Sequence, residues 1–479
     1  MTAAVAAVDL GATSGRVMLG YVGHNELRLV PVSRFPNGPV ESPGSGELHW
    51  NISGLYEHAL AGIAVAGRQE PGLVSAAVDS WAVDYGLMRG GALTAEPFHY
   101  RDARTARGVA AVHERVAASD LYASTGLQHL PFNTVFQLAE DAAAGRLADI
   151  DSFLLVPDLL NFWLTGRSHA ERTNASTTGL YNATTGEWDD ALIARAGLPR
   201  AIFAPLVDAG VSLGALTADA AARTGLPNLT ITTVGSHDTA SAIVAIPAEG
   251  TDFAYISCGT WSLVGVELER PVLTEESRAA NFTNEGGVDG RVRYLRNVMG
   301  LWILSETVRG WNADLAELLD QASAYDGPVT LFDPDDARFL PPGDMPARIA
   351  SWCEENGVAA PSSRAALVRS ILESLAEAYV RTIDTARTLS GATVNTVHLV
   401  GGGSQNTLLC QLTADYTGLP VQAGPVEATA IGNVLVQARA QGFASGSLES
   451  LRALVARAYP PRSYRPTPRA PAAHANISP

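Results

Sequence analysis

The chain has 479 residues, of which 47% are hydrophobic and 17% are charged. This length exceeds what one hydrophobic core supports, so we expect two large ordered domains. The formal net charge of −16 argues against nucleic acid or an anionic membrane surface as the main partner, because both favour a basic protein face. No run of 18 apolar residues occurs and the N-terminus lacks a basic segment, so we expect neither a transmembrane helix nor a signal peptide.

Two further features of the composition narrow the chemistry. All 33 basic residues are arginine. P-loop NTPases, protein kinases and pyridoxal enzymes each need a lysine, so these three classes are excluded. The three cysteines, Cys258, Cys353 and Cys410, are far apart in the sequence. Their spacing excludes a disulfide framework and a cysteine-based zinc site, and it is typical of a protein from a reducing cytoplasm.

In chain order, the first half alternates predicted strands and helices, which is an α/β pattern. Apolar and β-branched runs predict strands of a first sheet at residues 5–10, 16–22, 27–35, 73–83 and 85–90. Helices are predicted at residues 104–124, 134–147 and 157–166. A buried strand is then predicted at 228–234 and a sheet-packed helix at 239–246, with His237 and Asp238 at their junction.

After residue 246 the pattern restarts. Strands are predicted at 251–259, 261–268, 292–297 and 396–402, and helices at 299–323, 363–391 and 428–442. We therefore place the boundary near residues 245–252, which gives an N-terminal domain of residues 1–246 and a C-terminal domain of residues 247–465. The tail, residues 466–479, is rich in proline and is expected to be disordered.

Three glycine-bearing segments follow predicted strands. VDLGATS (8–14) can be laid over ISCGTWS (256–262), since each is a strand, a glycine turn and then hydroxyl residues. Such hairpins direct backbone N–H groups at one spot, which suits phosphate oxygens without lysine. A triple glycine (401–403) precedes a helix opened by Ser404 or Asn406, and it suits a flat ligand with a phosphate. Ordinary turns and loops are the alternative for each segment.

Together, VDLGATSGR, YISCGTWSLVG and HLVGGGSQN resemble the FGGY family of carbohydrate kinases, within the actin, sugar kinase and Hsp70 ATPase group. The resemblance runs from about residue 4 to about residue 465. It implies an α/β fold of two actin-like (ribonuclease H-like) domains with the active site in the interdomain cleft. The N-terminal domain would bind the sugar, and the C-terminal domain would bind the nucleotide.

Within the family, VDSWAVDYGLM, GSHDTASA and RNVMGLW imply a particular reaction. The donor would be ATP with Mg²⁺, and the acceptor would be a ketose, L-rhamnulose, phosphorylated at its 1-hydroxyl during the breakdown of L-rhamnose. From the cysteine usage we expect a cytoplasmic protein, and we expect it to be a monomer or homodimer. The ketose and Mg–ATP are the expected partners, and the acidic net charge argues against nucleic acid and a membrane.

The resemblance also implies roles for individual residues. Asp238 would be the general base that accepts the proton of the sugar hydroxyl, and Asp9 would orient Mg²⁺. The implied sugar contacts are Ala82, Asp84, His237, Asp238, Thr239 and Asn297. The implied nucleotide contacts are Ala12, Thr13, Ser14, Gly15, Arg16, Thr260, Ser305, Gly402 and Gly403. Ala82 and Ser305 depart from the family, whose members mostly have glycine and glutamine there.

Other interpretations of the same residues stay open. Asp238 could be a helix N-cap, in which case Asp84 would be the base instead. Arg16 could face solvent. Asp9 could simply end its strand, but a carboxylate in this apolar run is costly to bury unless it has a polar partner. The alternative functions are an FGGY kinase for L-fuculose, xylulose or a similar polyol, and a non-enzymatic ATP switch of the actin or Hsp70 type. A cofactor-dependent oxidoreductase is more distant, because the glycine spacing is not GxGxxG.

Overall fold

The computed structural model describes residues 2–23 and 26–467, and packing divides them into two units. The first unit runs to Thr251 and also contains Val266–Arg296 and Glu427–Pro460. The second unit contains Asp252–Gly265, Asn297–Val426 and the described residues from Pro461. The functional division at residues 246 and 247 stays a prediction. Most of the tail predicted to be disordered, from residue 468 onward, lies outside the described residues.

The strands up to Thr251 are β1 (Ala3–Leu10), β2 (Ser14–Gly23), β3 (Glu26–Pro36), β4 (Val40–Glu41), β5 (Leu48–His49), β6 (Leu73–Ser80), β7 (Tyr85–Arg89), β8 (Ala92–Leu93), β9 (Ser152–Leu155), β10 (Ala170–Glu171), β11 (Tyr181–Asn182), β12 (Glu187–Trp188), β13 (Leu206–Val207), β14 (Ser212–Ala215) and β15 (Thr230–Thr232). The helices there are α1 (Ile52–Gln69), α2 (Ala106–His113), α3 (Ala118–Thr125), α4 (Thr134–Ala143), α5 (Val156–Thr165), α6 (Arg172–Ala175), α7 (Asp190–Arg195), α8 (Ala218–Thr224) and α9 (Asp238–Val244).

The strands after Thr251 are β16 (Phe253–Cys258), β17 (Trp261–Leu268), β18 (Thr283–Gly286), β19 (Val292–Met299), β20 (Thr396–Val400), β21 (Val421–Ala423) and β22 (Arg462–Tyr464). The helices there are α10 (Glu275–Ala279), α11 (Trp302–Arg309), α12 (Leu315–Ser323), α13 (Met345–Glu355), α14 (Arg364–Ser390), α15 (Thr407–Thr417), α16 (Ala428–Ala440) and α17 (Leu448–Ala458). Within the described ranges, no helix is long and apolar enough to cross a membrane.

A six-stranded sheet forms the centre of the first unit, in the order β14-β15-β6-β1-β2-β3. Strands β1, β2 and β3 are antiparallel neighbours, whereas β6 runs parallel to β1, and β15 runs parallel to β6. Every residue of β1 is buried, which explains its unbroken apolar sequence, because a central strand is covered on both faces. A carboxylate in such a strand, Asp9, therefore stands out.

The second unit repeats the central part of this arrangement. Its strands lie in the order β17-β16-β20-β21-β22, and β20 is parallel to both β16 and β21. Strands β17, β16, β20 and β21 thus correspond to β2, β1, β6 and β15 of the first unit. The correspondence agrees with the repeated glycine hairpins of the sequence.

Several predicted elements are wrong in detail. Residues 104–124 form two helices rather than one, because the chain turns after His113 and buries Val112 and Val116. The helix predicted over 299–323 is also divided, since the Asp314 side chain accepts hydrogen bonds from backbone N–H groups and starts α12. Strand β7 belongs to a separate sheet with β8 and β9. Helix α17 was not predicted, whereas α14 ends as predicted at Gly391, which is left-handed at φ 73°.

Candidate active site

Two aspartates lie side by side where β1 and β6 end. The parallel register places Asp9 opposite Asp79. Asp9 is 4% exposed and Asp79 is 0% exposed, so both carboxyl groups need polar partners. Only Asp9 was predicted from the sequence. Asp79 carries the same signal, an aspartate near the end of an apolar strand (LVSAAVDS), and could have been found by it.

Arg16 supplies the partner of Asp9. It lies opposite Asp9 in the antiparallel register of β2, and its Nε and Nη2 atoms donate to Asp9 Oδ2 at 2.9 and 2.6 Å. Its Nη1 atom pairs with Glu427, which precedes α16. Burial by itself lowers the pKa of Arg16, but the charges of Asp9 and Glu427 raise it by more. The pKa of Arg16 therefore lies above its usual value. The guanidinium therefore faces carboxylates rather than solvent.

Asp79 has one partner and one buried oxygen without a partner. Asn433, on α16, donates to Asp79 Oδ2 at 2.6 Å, whereas Asp79 Oδ1 has no hydrogen-bond partner. Burial raises the pKa of Asp79 well above its usual value, and the charges of Asp9 and Asp238 raise it further. Because like charges this close disfavour ionisation of both, we expect Asp79 to hold its proton beside Asp9.

Asp238 is the first residue of α9, and the N-cap position belongs to His237. The capping interpretation of Asp238 is therefore wrong in position. About 30% of the Asp238 side chain is exposed, and Thr239 Oγ1 donates to its Oδ1 at 3.1 Å. The surrounding protein raises the pKa of Asp238 by burial, and the charge of Asp9 adds to the increase, while His237 opposes it. A carboxylate with one open side and a raised pKa suits proton acceptance.

Asp84, an implied sugar contact, is surrounded by donors of the protein. It is 1% exposed, and it accepts hydrogen bonds from Trp50 Nε1 at 2.6 Å and Trp81 Nε1 at 3.1 Å. Gln137 Nε2 and the Tyr100 backbone N–H also donate to it, at 2.9 and 3.2 Å. Burial raises the pKa of Asp84 to about 6, against the effect of these donors. The carboxylate thus orients two indole rings, and a direct bond from it to a sugar stays a prediction.

The loop before Asp84 is strained. Val83 has φ 69°, a left-handed conformation that β-branched residues rarely adopt. Such strain is concentrated at functional sites. Ala82, immediately before it, is half-buried at the edge of the first unit's core.

Two residues of the triple-glycine segment, Gly402 and Gly403, differ in the space around their Cα atoms. A Cβ on Gly403 would lie 2.2 Å from Cys258 Sγ, so this glycine lets the loop pack on β16. A Cβ on Gly402 would have no atom within 4 Å. Gly402 therefore presents bare backbone, as a flat ligand would require. The following helix, α15, is capped by Asn406 and not by Ser404.

The remaining implied contacts belong to both units. In the first, Thr13 is exposed in the β1–β2 turn, and a Cβ on Gly15 would lie 2.1 Å from the Phe35 ring, so the pairing of β2 with β3 requires this glycine. The other first-unit residues implied by the sequence are Ala12, Ser14 and Thr239. The second unit holds Thr260, Asn297 and Ser305, with Ser305 exposed on α11.

Comparison with known proteins identifies the class. Residues 96–245 match the N-terminal domain of the FGGY family of carbohydrate kinases, and residues 254–441 match its C-terminal domain. The chain belongs to the FGGY family of carbohydrate kinases and is a kinase. A relative named rhamnulokinase, from Bacteroides thetaiotaomicron, is 40% identical over 467 residues, covering 96% of this chain and 95% of the relative. Another rhamnulokinase, from Enterococcus faecalis, is 38% identical over 471 residues, covering 96% and 94%. The predicted family is confirmed.

Solved structures confirm the predicted fold. Gluconate kinase from Lactobacillus acidophilus matches with a TM-score of 0.79 at 14% identity, covering 98% of this chain and 94% of that one. Xylulose kinase from Rhodospirillum rubrum matches with a TM-score of 0.77 at 20% identity, covering 98% and 95%. At these identities the likeness shows the fold alone. It is the two-domain α/β fold of sugar kinases of the actin-like ATPase type, and family membership contradicts a non-enzymatic switch.

Proposed function

We propose that this kinase transfers the γ-phosphoryl group of ATP to the 1-hydroxyl of L-rhamnulose, giving L-rhamnulose 1-phosphate and ADP. The observation that carries the choice of sugar is the 40% identity to a relative named rhamnulokinase over 96% of the chain. The geometry around Asp238 supports the type of reaction. The glycine hairpins of both units supply backbone N–H groups suited to phosphate oxygens.

In this mechanism Asp238 accepts the proton of the 1-hydroxyl as the new oxygen–phosphorus bond forms. The bond from the γ-phosphorus to the bridging oxygen breaks at the same time, and ADP leaves with its electron pair. Arg16 stays charged at every working pH, so it pairs with Asp9 and offsets phosphate charge nearby. Thr239, whose hydroxyl bonds Asp238, fixes the orientation of the carboxylate.

Asp9 is the residue we propose for Mg²⁺. Among the residues that the structure describes, no three His, Cys, Asp or Glu side chains are grouped to hold a metal ion. This fits Mg²⁺, which usually binds through one or two carboxylates, water and substrate phosphates rather than in an all-protein cage. When bound, Mg²⁺ would neutralise charge on the phosphate oxygens.

A panel of sugars tests the proposed acceptor. With ATP and Mg²⁺, kcat/KM for L-rhamnulose should exceed that for L-fuculose, D-xylulose or glycerol by about 10-fold or more, because a site that hydrogen-bonds hydroxyls rejects sugars that leave its groups unpaired. ADP release measures turnover. Ala82→Gly is the matched variant, since it removes the methyl group that distinguishes this chain. If xylulose or glycerol were the best substrate in both proteins, the choice of sugar would be wrong while the kinase class would stand.

Gly402 and Gly403, in the triple-glycine segment, allow a test of nucleotide binding. Gly402→Ala adds a methyl group to an open surface, so we expect KM for ATP to rise by about 10-fold or more while thermal stability stays unchanged. Gly403→Ala is the matched control, and it should lower the melting temperature because its Cβ meets Cys258. Unchanged KM for ATP in Gly402→Ala would remove this loop from the nucleotide site.

A further inference from the structure

His237 contacts a buried ion pair on the β18–β19 hairpin. Glu285 and Arg293 lie directly opposite each other in the antiparallel register, and their side chains are 5% and 0% exposed. Arg293 Nη1 lies 3.1 Å from Glu285 Oε2, and Arg293 Nε donates to the Gly286 carbonyl at 2.9 Å. The guanidinium is thereby held on two sides, and its remaining Nη2 atom lies 3.0 Å from His237 Nδ1.

These contacts decide which nitrogen of His237 carries the proton. The contact between Arg293 Nη2 and His237 Nδ1 has hydrogen-bond geometry, and a guanidinium can only donate, so Nδ1 is the acceptor. Glu285 Oε2 also lies 3.2 Å from Nδ1, but this contact lacks hydrogen-bond geometry, so the group aimed at Nδ1 is the N–H of Arg293. A doubly protonated ring would direct N–H against N–H at Arg293.

The other ring nitrogen leads to the same assignment. His237 Nε2 lies 3.5 Å from Asp238 Oδ1. A bare nitrogen lone pair facing a carboxylate would be repelled, whereas an N–H there is attracted to it. The tautomer with its proton on Nε2 therefore meets both Arg293 and Asp238, and the guanidinium of Arg293 offsets the charge of Glu285 beside the bare Nδ1.

We propose that Arg293 is a positioning residue of this kinase: it fixes the Nε2–H tautomer of His237, and that N–H orients the Asp238 carboxylate. Glu285 keeps Arg293 in place and balances its charge. The inference rests on the proposed function, because it assumes that Asp238 is the base. In the Ser-His-Asp triad of serine proteases, the aspartate bound to the second ring nitrogen likewise decides the tautomer of the histidine. The wrong tautomer there costs about 10⁴-fold in kcat.

The test replaces the ion pair in one step, with Arg293→Met/Glu285→Leu. Removing both charges leaves no buried charge unpaired, so the protein is expected to fold. In the parent, ¹⁵N NMR of labelled histidine should show His237 as the Nε2–H tautomer, assigned by loss of its signals in His237→Gln. In the double variant both tautomers should be populated. We expect kcat to fall by between about 10-fold and about 10⁴-fold, with KM for ATP unchanged.

A second buried ion pair provides the matched control. Arg452 is 0% exposed, donates twice to Glu267 at 2.8 Å, and also bonds the Ile243 carbonyl at the other end of α9. Arg452→Met/Glu267→Leu removes an equally buried pair that contacts the same helix, α9, so it should change stability without changing the tautomer of His237 or kcat.

The outcomes separate the inference from the function on which it rests. A parent with the Nδ1–H tautomer, or a double variant at Arg293 and Glu285 that keeps both tautomer and kcat, would overturn the inference. An equal fall in kcat in the control pair would overturn it as well, since general loosening of α9 would then explain the loss. If the parent phosphorylates no ketose, the proposed function fails instead, and if Asp238→Asn keeps full activity, the assignment of Asp238 as the base fails.

Discussion

Asp238→Asn should lower kcat by about 10²- to 10⁴-fold, because asparagine keeps the shape of the side chain but does not accept the hydroxyl proton. KM for ATP should stay near the parent value, since the change removes an interaction of the transition state. Steady-state kinetics with L-rhamnulose and ATP measure both constants. A variant with near-normal ketose phosphorylation would show that Asp238 is not the base.

Stability is the internal control for this variant. The folded protein raises the pKa of Asp238, so its ionised form is disfavoured in the folded state. That penalty is absent below the unfolded pKa and grows as pH rises through the folded pKa. Asp238→Asn should therefore melt no lower than the parent at neutral pH, and the difference should shrink as the pH falls toward about 4. A fall in melting temperature with lost activity would indicate a structural role.

Asp84 offers a contrast, because it was the alternative base. Its two oxygens accept hydrogen bonds from four protein donors, three of them to Oδ2, so the protein itself occupies most of this carboxylate, whereas Asp238 accepts a side-chain bond only from Thr239 among the bonds described. An asparagine at this position would direct an N–H₂ group at a donor. Loss of activity at Asp84 would thus arrive with loss of stability, which distinguishes it from Asp238.

The sequence predicted those site residues that carry a local signal. Asp9 was found because a carboxylate interrupts an apolar strand. Gly402 was found because it belongs to a triple glycine that follows a second apolar strand. Arg293 could not be found in this way, since it meets His237 across 56 residues of sequence, and the contact depends on the register of β18 with β19. Register is a tertiary property that strand propensity does not specify.

The same distinction explains the errors in the fold. Hydrophobic periodicity predicted α14 well because a long helix with a serine N-cap and a glycine C-cap is specified locally. It failed between α11 and α12, where Asn312 has φ 48° and Asp314 starts a new helix. There the periodicity of the apolar residues continues through the break, and the capping side chain decides the boundary.

Gly432→Ala should destabilise the first unit by about 3 kcal/mol, at the upper end of what overpacking usually costs. Helix α16 crosses α9 at this glycine, and an ideal Cβ there would lie 1.8 Å from the Ser241 carbonyl oxygen. The clash is with backbone, so no side-chain rotation relieves it and the two helices must separate. Helix α9 begins with Asp238, and α16 carries the Asn433 that bonds Asp79. Activity should therefore fall along with stability, measured by thermal unfolding and by kcat.

Gly310→Ala is the matched control for the added methyl group. Gly310 is right-handed at φ −67°, and a Cβ there would meet only Thr307 O at 3.7 Å, an ordinary contact. An alanine at such a position restricts the unfolded chain and should stabilise the protein by about 0.4–1 kcal/mol. If Gly432→Ala melted as high as Gly310→Ala, the helices could not cross as closely as the structure places them, and the position of Asp238 beside Asp9 and Asp79 would need another support.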